Sequence, residues 1–166
     1  MGLLSFIKEA GEKLFHHGAA KAATEAAAAS PTPETIAAAS AAAGAAVEEY
    51  IRSMNLDARG LAVGFDVNSG IVSVAGVAAD EATREKIILC CGNVQGVAGV
   101  EDNMEVESSG DGSQYYTVVR GDTLSKIAKE YYGNANQYMP IFEANKPMLS
   151  HPDKIYPGQM LRIPPQ

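Results

Sequence analysis

Cys90-Cys91-Gly92-Asn93-Val94-Gln95-Gly96-Val97-Ala98-Gly99-Val100 joins a helix to a strand, and the rest of the chain is ordered around it. Upstream, Asp80 to Cys91 reads as a helix. Asp80 is its N-cap, Glu81 and Glu85 sit in its first turns, and Ile87, Ile88 and Cys91 lie on its apolar side. Gly92 is expected to stop the helix as a left-handed cap, leaving C-terminal carbonyls unpaired and concentrating the negative end of the helix dipole. Gly96 and Gly99 keep the following backbone tight. Such a loop of inward-turned carbonyls can hold a weakly hydrated cation such as potassium, since potassium filters replace hydration water with backbone oxygens. The same residues also read as a plain Schellman cap and a turn into a strand.

The length of 166 residues allows one domain or two small ones, and 46% hydrophobic residues suffice for compact cores. The net charge of -7 is uneven: residues 1–114 carry 7 Lys and Arg against 16 Asp and Glu, residues 115–166 carry 6 against 4. That balance argues against nucleic acid as a partner and keeps the front of the chain off anionic membranes. No apolar run approaches the ~20 residues a bilayer span needs. Lys8 and Glu9 interrupt the apolar start, which has no basic leader, so it does not read as a secretory signal. Cys90 and Cys91, being adjacent, suit reduced buried thiols in a cytoplasmic protein. His16-His17 with these cysteines makes a poor zinc set, because neighbouring helical side chains diverge by about 100°.

Leu3, Phe6, Ile7, Ala10, Leu14 and Phe15 recur at helical spacing, so residues 1–15 are expected to hold a short amphipathic helix over 3–15, with Gly11 inside it. So short a helix must dock on something. Residues 16–33 read as an alanine-rich linker in which Ala19–Ala29 is either helical or a frayed tether. Thr32 as N-cap and Pro33 at the first helical position start another helix through Ile36, Ala43, Val47, Tyr50, Ile51 and Met54. Leu61, Val63, Phe65 and Val67 alternate, the turn Asn68-Ser69-Gly70 follows, and Ile71–Val77 completes a hairpin. After the Asp80 helix comes a strand with Val100, Met104 and Val106 on one side. The order is helix, strand, strand, helix, strand, which makes an α+β layer with helices on one sheet face.

The hairpin ending Ser73-Val74-Ala75-Gly76, the Asp80-Glu81 helix, and Gly92 to Val100 entering the last strand together resemble the BON domain over residues 34–108. The resemblance implies a ligand-binding or membrane-associating module. Residues 109–114 then read as a flexible linker.

Beyond it, Tyr115–Val119 reads as a strand and Gly121–Leu124 turns into a helix through Ile127 and Tyr131, capped by Gly133. A second helix runs from Asn136 to Asn145, and Met160–Ile163 pairs with the first strand. Tyr116-Thr117-Val118, Gly121-Asp122-Thr123-Leu124-Ser125-Lys126-Ile127-Ala128, Asn145 and Ile155-Tyr156-Pro157-Gly158-Gln159-Met160-Leu161-Arg162-Ile163-Pro164 closely resemble a LysM domain, βααβ, over residues 115–164, within a domain expected to span 115–166. That resemblance implies a groove for N-acetylglucosamine polymers at Gly121, Asp122, Thr123 and Leu124, or a partner protein. Most of the motif serves turns, caps and core.

The whole arrangement, with a Met-Gly-Leu-Leu-Ser-Phe-Ile-Lys-Glu-Ala-Gly-Glu-Lys-Leu-Phe start before BON and LysM, resembles the small cytoplasmic potassium-binding proteins of bacteria. The resemblance implies K+ held by the main-chain carbonyls of Ile7, Lys8 and Ala10 and of Gly92, Val94 and Val97. An oxygen cage without carboxylates suits a monovalent ion, whereas calcium sites recruit Asp or Glu. A monomeric cytoplasmic potassium binder is the first expectation and a cell-wall glycan binder the second. An enzyme is least expected: neither module leaves room for a catalytic domain, and Asp122 with Thr123 or Ser125 lacks a placed histidine.

Overall fold

The computed structural model describes residues 3–5, 11–108 and 112–166. Its first unit is a four-stranded sheet in the order β1-β4-β3-β2, formed by Leu3–Ser5 (β1), Arg59–Asp66 (β2), Ile71–Asp80 (β3) and Gly99–Ser108 (β4). The β2-β3 hairpin is antiparallel, with Val63 opposite Val74 and Phe65 opposite Val72. Strands β3 and β4 run parallel, Val72 beside Val100 and Val74 beside Asp102. Parallel neighbours need a crossover, which helix α3 (Glu81–Gly92) supplies.

Helix α2 (Pro33–Ser53) starts where local chemistry dictates. The Thr32 and Thr35 side chains cap each other's backbone N–H, and Pro33 sits at the first turn. Its Val47 and Ile51 meet Val72, Val74, Ile87, Ile88, Val100 and Met104 in one buried cluster, so α2 and α3 cover a single sheet face. The stretch 16–33 carries helix α1 (Gly18–Ala29), laid against α2 with Ala20, Ala39 and Ala43 buried. Small side chains allow that close helix pair.

The expected helix over residues 3–15 is corrected at both described ends. Leu3–Ser5 is a strand paired antiparallel with Gly99–Glu101, and Leu14–His16 is a single 3-10 turn. The physical reason is the edge of β4, whose backbone groups on the side away from β3 are satisfied by this second neighbour. Gly11 also breaks any helix there, at φ 113.

The second unit is βααβ. Strands β5 (Gln114–Thr117) and β6 (Met160–Ile163) pair antiparallel, and helices α4 (Leu124–Tyr132) and α5 (Tyr138–Ala144) lie between them in sequence. Gly133 ends α4 in the left-handed conformation, φ 72. Leu124, Ile127, Ala128, Ile141, Phe142 and Leu161 form its core.

The two units touch through α3. Arg162 of β6 donates from Nε to Oε2 of Glu85, and these side chains are only 10% and 4% exposed. The other Glu85 oxygen accepts from the Ser113 backbone at 2.7 Å.

Candidate metal centre

Helix α3 is anchored at its start by Asp80, whose Oδ1 accepts from Thr83 N at 2.7 Å. These bonds hold the Asp80 carboxyl below its ordinary range. At the far end Ile87 to Gly92 are all buried. The carbonyls of Cys90, Cys91 and Gly92 accept no hydrogen bond among the described residues, so the negative end of the helix is left open there.

The turn that follows differs from expectation. Gly92 is the last helical residue and not a left-handed cap: Asn93 closes the helix at φ -87 and ψ 15, and the positive φ falls on Gly96, φ 96. The reason is that Asn93 N still reaches Leu89 O at 3.0 Å, which prolongs the helical winding by a residue. Val94 and Val97 are fully buried and pin the loop into the core. Val94 O accepts from Val97 N at 3.1 Å, and Ala98 N ties the loop to Gly70 O at 2.7 Å. The carbonyl of Val97 accepts none among the described residues.

Against this loop the N-terminal segment docks as a short parallel bridge, Glu12 beside Val94. Glu12 N donates to Asn93 O and Gln95 N donates to Glu12 O, both at 2.7 Å. The approach is so close that a Cβ on Gly11 would lie 1.8 Å from Asn93 O. Sequence reasoning missed Gly11 and Glu12 as docking residues, although a glycine inside a helical pattern was a signal of close approach. Of the expected ligands, Gly92, Val94 and Val97 stand together in this loop; Ile7, Lys8 and Ala10 lie outside the described residues.

The Asn93 side chain was also missed. Its Nδ2 donates to Met160 O and its Oδ1 accepts from Met160 N, each at 3.0 Å, so the loop is fastened to the first residue of β6. Nearby, burial and the Glu12 carboxylate push the Tyr156 hydroxyl up to about 12. Tyr50 is raised too, by burial first and then by Cys90, Glu12 and Tyr156. Burial likewise raises Cys90 to about 12 and Cys91 well above the ordinary thiol. All four groups therefore stay protonated and neutral near pH 7. Among the described residues no three His, Cys, Asp or Glu side chains cluster as a metal set. Among the described residues, the backbone oxygens of Cys90, Cys91, Gly92 and Val97 accept no hydrogen bond.

In the second unit the residues expected to line a sugar groove are engaged within the fold. Asp122 Oδ2 accepts from Tyr116 OH at 2.6 Å and from Val119 N at 2.9 Å. Thr123 caps α4 through Lys126 N, the Lys126 ammonium donates to Gly121 O, and Leu124 is in the core.

A BON domain model matches residues 41–108 and a LysM domain model residues 116–164. The potassium binding protein Kbp of Escherichia coli O6:H1 is 40% identical over 165 residues, 99% of each chain. An uncharacterized protein of Deinococcus radiodurans is 44% identical over 82 residues, 43% of this chain and 32% of its own. The uncharacterized protein YqbP of Bacillus subtilis is 36% identical over 58 residues, 30% of this chain and 26% of its own. Among the described residues no helix is long and apolar enough to cross a membrane.

Proposed function

This chain belongs to the family of paired BON and LysM proteins that includes the Escherichia coli potassium binding protein Kbp, and from that premise we propose that it binds potassium through main-chain carbonyls. The observation that carries the reading is the docking of Gly11 and Glu12 on Asn93 and Gln95, beside a helix end whose Cys90, Cys91 and Gly92 carbonyls are unaccepted among the described residues. Gly92, Val94 and Val97 supply one half of the proposed ligand set. Ile7, Lys8 and Ala10 precede Gly11 by a few residues, at most ~3.6 Å of chain each, and supply the other half. All six act by carbonyl, so the Lys8 ammonium is not a ligand.

Backbone oxygens replace the hydration shell of a weakly hydrated monovalent ion without bringing formal negative charge, which disfavours divalent ions that recruit carboxylates. Binding orders the N-terminal segment, since an ion shared between two chain segments offsets part of their ordering entropy. The reading carries with it a cytoplasmic, monomeric, non-enzymatic protein. Glycan binding by the second unit is the other reading, favoured by its LysM match; the engagement of Asp122 and Thr123 within the fold weakens it.

The test is a pair of melting curves in KCl and NaCl at equal ionic strength, where screening is matched. A ligand that binds only the folded state adds about 2.7 kcal/mol at a hundredfold excess over Kd. KCl raises the melting temperature more than NaCl if the reading holds; equal shifts overturn it.

A further inference from the structure

At the junction of the two units, away from the carbonyl loop, lies a cavity of about 270 Å³ lined by Glu81, Arg84, Glu85, Asp102, Ser113 and Tyr115, with Ile88 as its apolar wall. Three of these residues bring buried polar atoms that have no hydrogen-bond partner among the described residues: Arg84 Nε, Ser113 Oγ and Tyr115 OH. Buried donors and acceptors are rarely left unmade, because each costs its full desolvation. Three from separate positions around one cavity call for an occupant that forms hydrogen bonds.

The charges state what kind. Arg84 is paired through its Nη atoms with Glu81 and Asp102, and Arg162 with Glu85. Both guanidiniums are therefore neutralised, with one carboxylate in surplus, so an anion gains nothing there. A cation meets the remaining open donor, Arg84 Nε, on a group already positively charged. Tyr115 stays protonated, its hydroxyl raised by burial and by the facing Glu85, and so both donates and accepts. Carboxylate oxygens that still accept, an open Nε–H and two hydroxyls match paired alcohols on a small neutral molecule. The tyrosine ring and Ile88 offer an apolar side. The volume lies just below the ~300–1,000 Å³ of sites for drug-sized ligands, which limits the occupant to about the size of one sugar ring.

We propose that this interdomain cavity is a binding site for a small neutral polyol, a free monosaccharide or the terminal unit of a glycan, distinct from the Gly121 to Leu124 surface and independent of the ion.

The test titrates the full-length protein in constant KCl with glucose, and separately with chitotriose, following backbone amide resonances. Glucose is expected to shift Arg84, Ser113 and Tyr115 saturably. Tyr115→Phe and Ser113→Ala, which delete one hydroxyl each, weaken that response about fivefold apiece if each contributes an ordinary hydrogen bond. Both variants keep the dispersed amide spectrum and the cooperative melting transition of the parent, which shows that they fold. Saturable shifts at the cavity with chitotriose but not glucose assign the site to a glycan end. No saturable shift at these residues with either sugar, a response confined to Gly121–Leu124, or one unchanged in both variants overturns the proposal and leaves the cavity to water.

Discussion

Gly11→Ala is the substitution that bears most directly on the carbonyl site. Gly11 has φ 113, and a methyl there would sit 1.8 Å from Asn93 O and 2.6 Å from Asn93 C, both backbone atoms that no rotamer can move aside. The segment must therefore lift off the loop. Lifting breaks Glu12 N to Asn93 O and Gln95 N to Glu12 O, a loss of about 1–3 kcal/mol at 0.5–1.5 kcal/mol each. The cost cannot exceed the docking energy, because an undocked segment no longer feels the clash. If potassium draws ligands from both sides, that docking energy comes out of ion binding, and 1.4 kcal/mol is tenfold. The expected loss of potassium affinity is about 5- to 150-fold. The control is Gly18→Ala, also at positive φ (57) but with no atom within 4 Å of the added methyl; it carries backbone strain without touching the loop. Isothermal titration with KCl of the parent and both variants decides. Gly11→Ala binding within a factor of ~2 of the parent refutes the two-sided site, since a ratio that small is under 0.5 kcal/mol.

Asn93→Ala removes both amide bonds to Met160 and is expected to cost about 1–3 kcal/mol, with faster amide exchange at Met160 than in α4; unchanged exchange at Met160 would mean that β6 is held without the loop. Removing one partner of the buried Glu85–Arg162 pair costs about 3–5 kcal/mol, and replacing both by apolar residues costs much less. Denaturant melts of Arg162→Met and of Glu85→Leu/Arg162→Met test this, and equal losses would contradict it. The Asp80 carboxyl is lowered by its bond to Thr83 N, so its folded value lies below the unfolded one. Its contribution is present above about pH 4 and fades as pH falls through the folded value. Asp80→Ala therefore loses about 1 kcal/mol at neutral pH and converges with the parent in acid; a difference that is the same at every pH points to packing instead.

Much of the architecture was legible because its causes are local. Thr32 with Pro33, Asp80 with Thr83, and Thr123 with Lys126 are caps made within three residues, and the alternation of Leu61, Val63 and Phe65 marks a strand in any context. The dense pattern of the second unit likewise spells out its βααβ order. The alanine-rich stretch showed its helical propensity but not its neighbour, since alanine has little side chain with which to specify one.

Other features were decided only once distant segments met. Leu3–Ser5 has a spacing that serves helix or strand, and the open edge of β4 selects strand. The need for glycine at position 11 comes from Asn93, and the Asn93 amide finds its partner 67 residues away at Met160. Glu85 reads locally as a first-turn helix acid, yet it is buried against Arg162, 77 residues on. Sequence records periodicity and capping because those energies arise within a turn or a strand pair. It does not record which backbone edge is left open or which two carbonyl-bearing segments face each other, because those depend on where the sheet and helices come to rest.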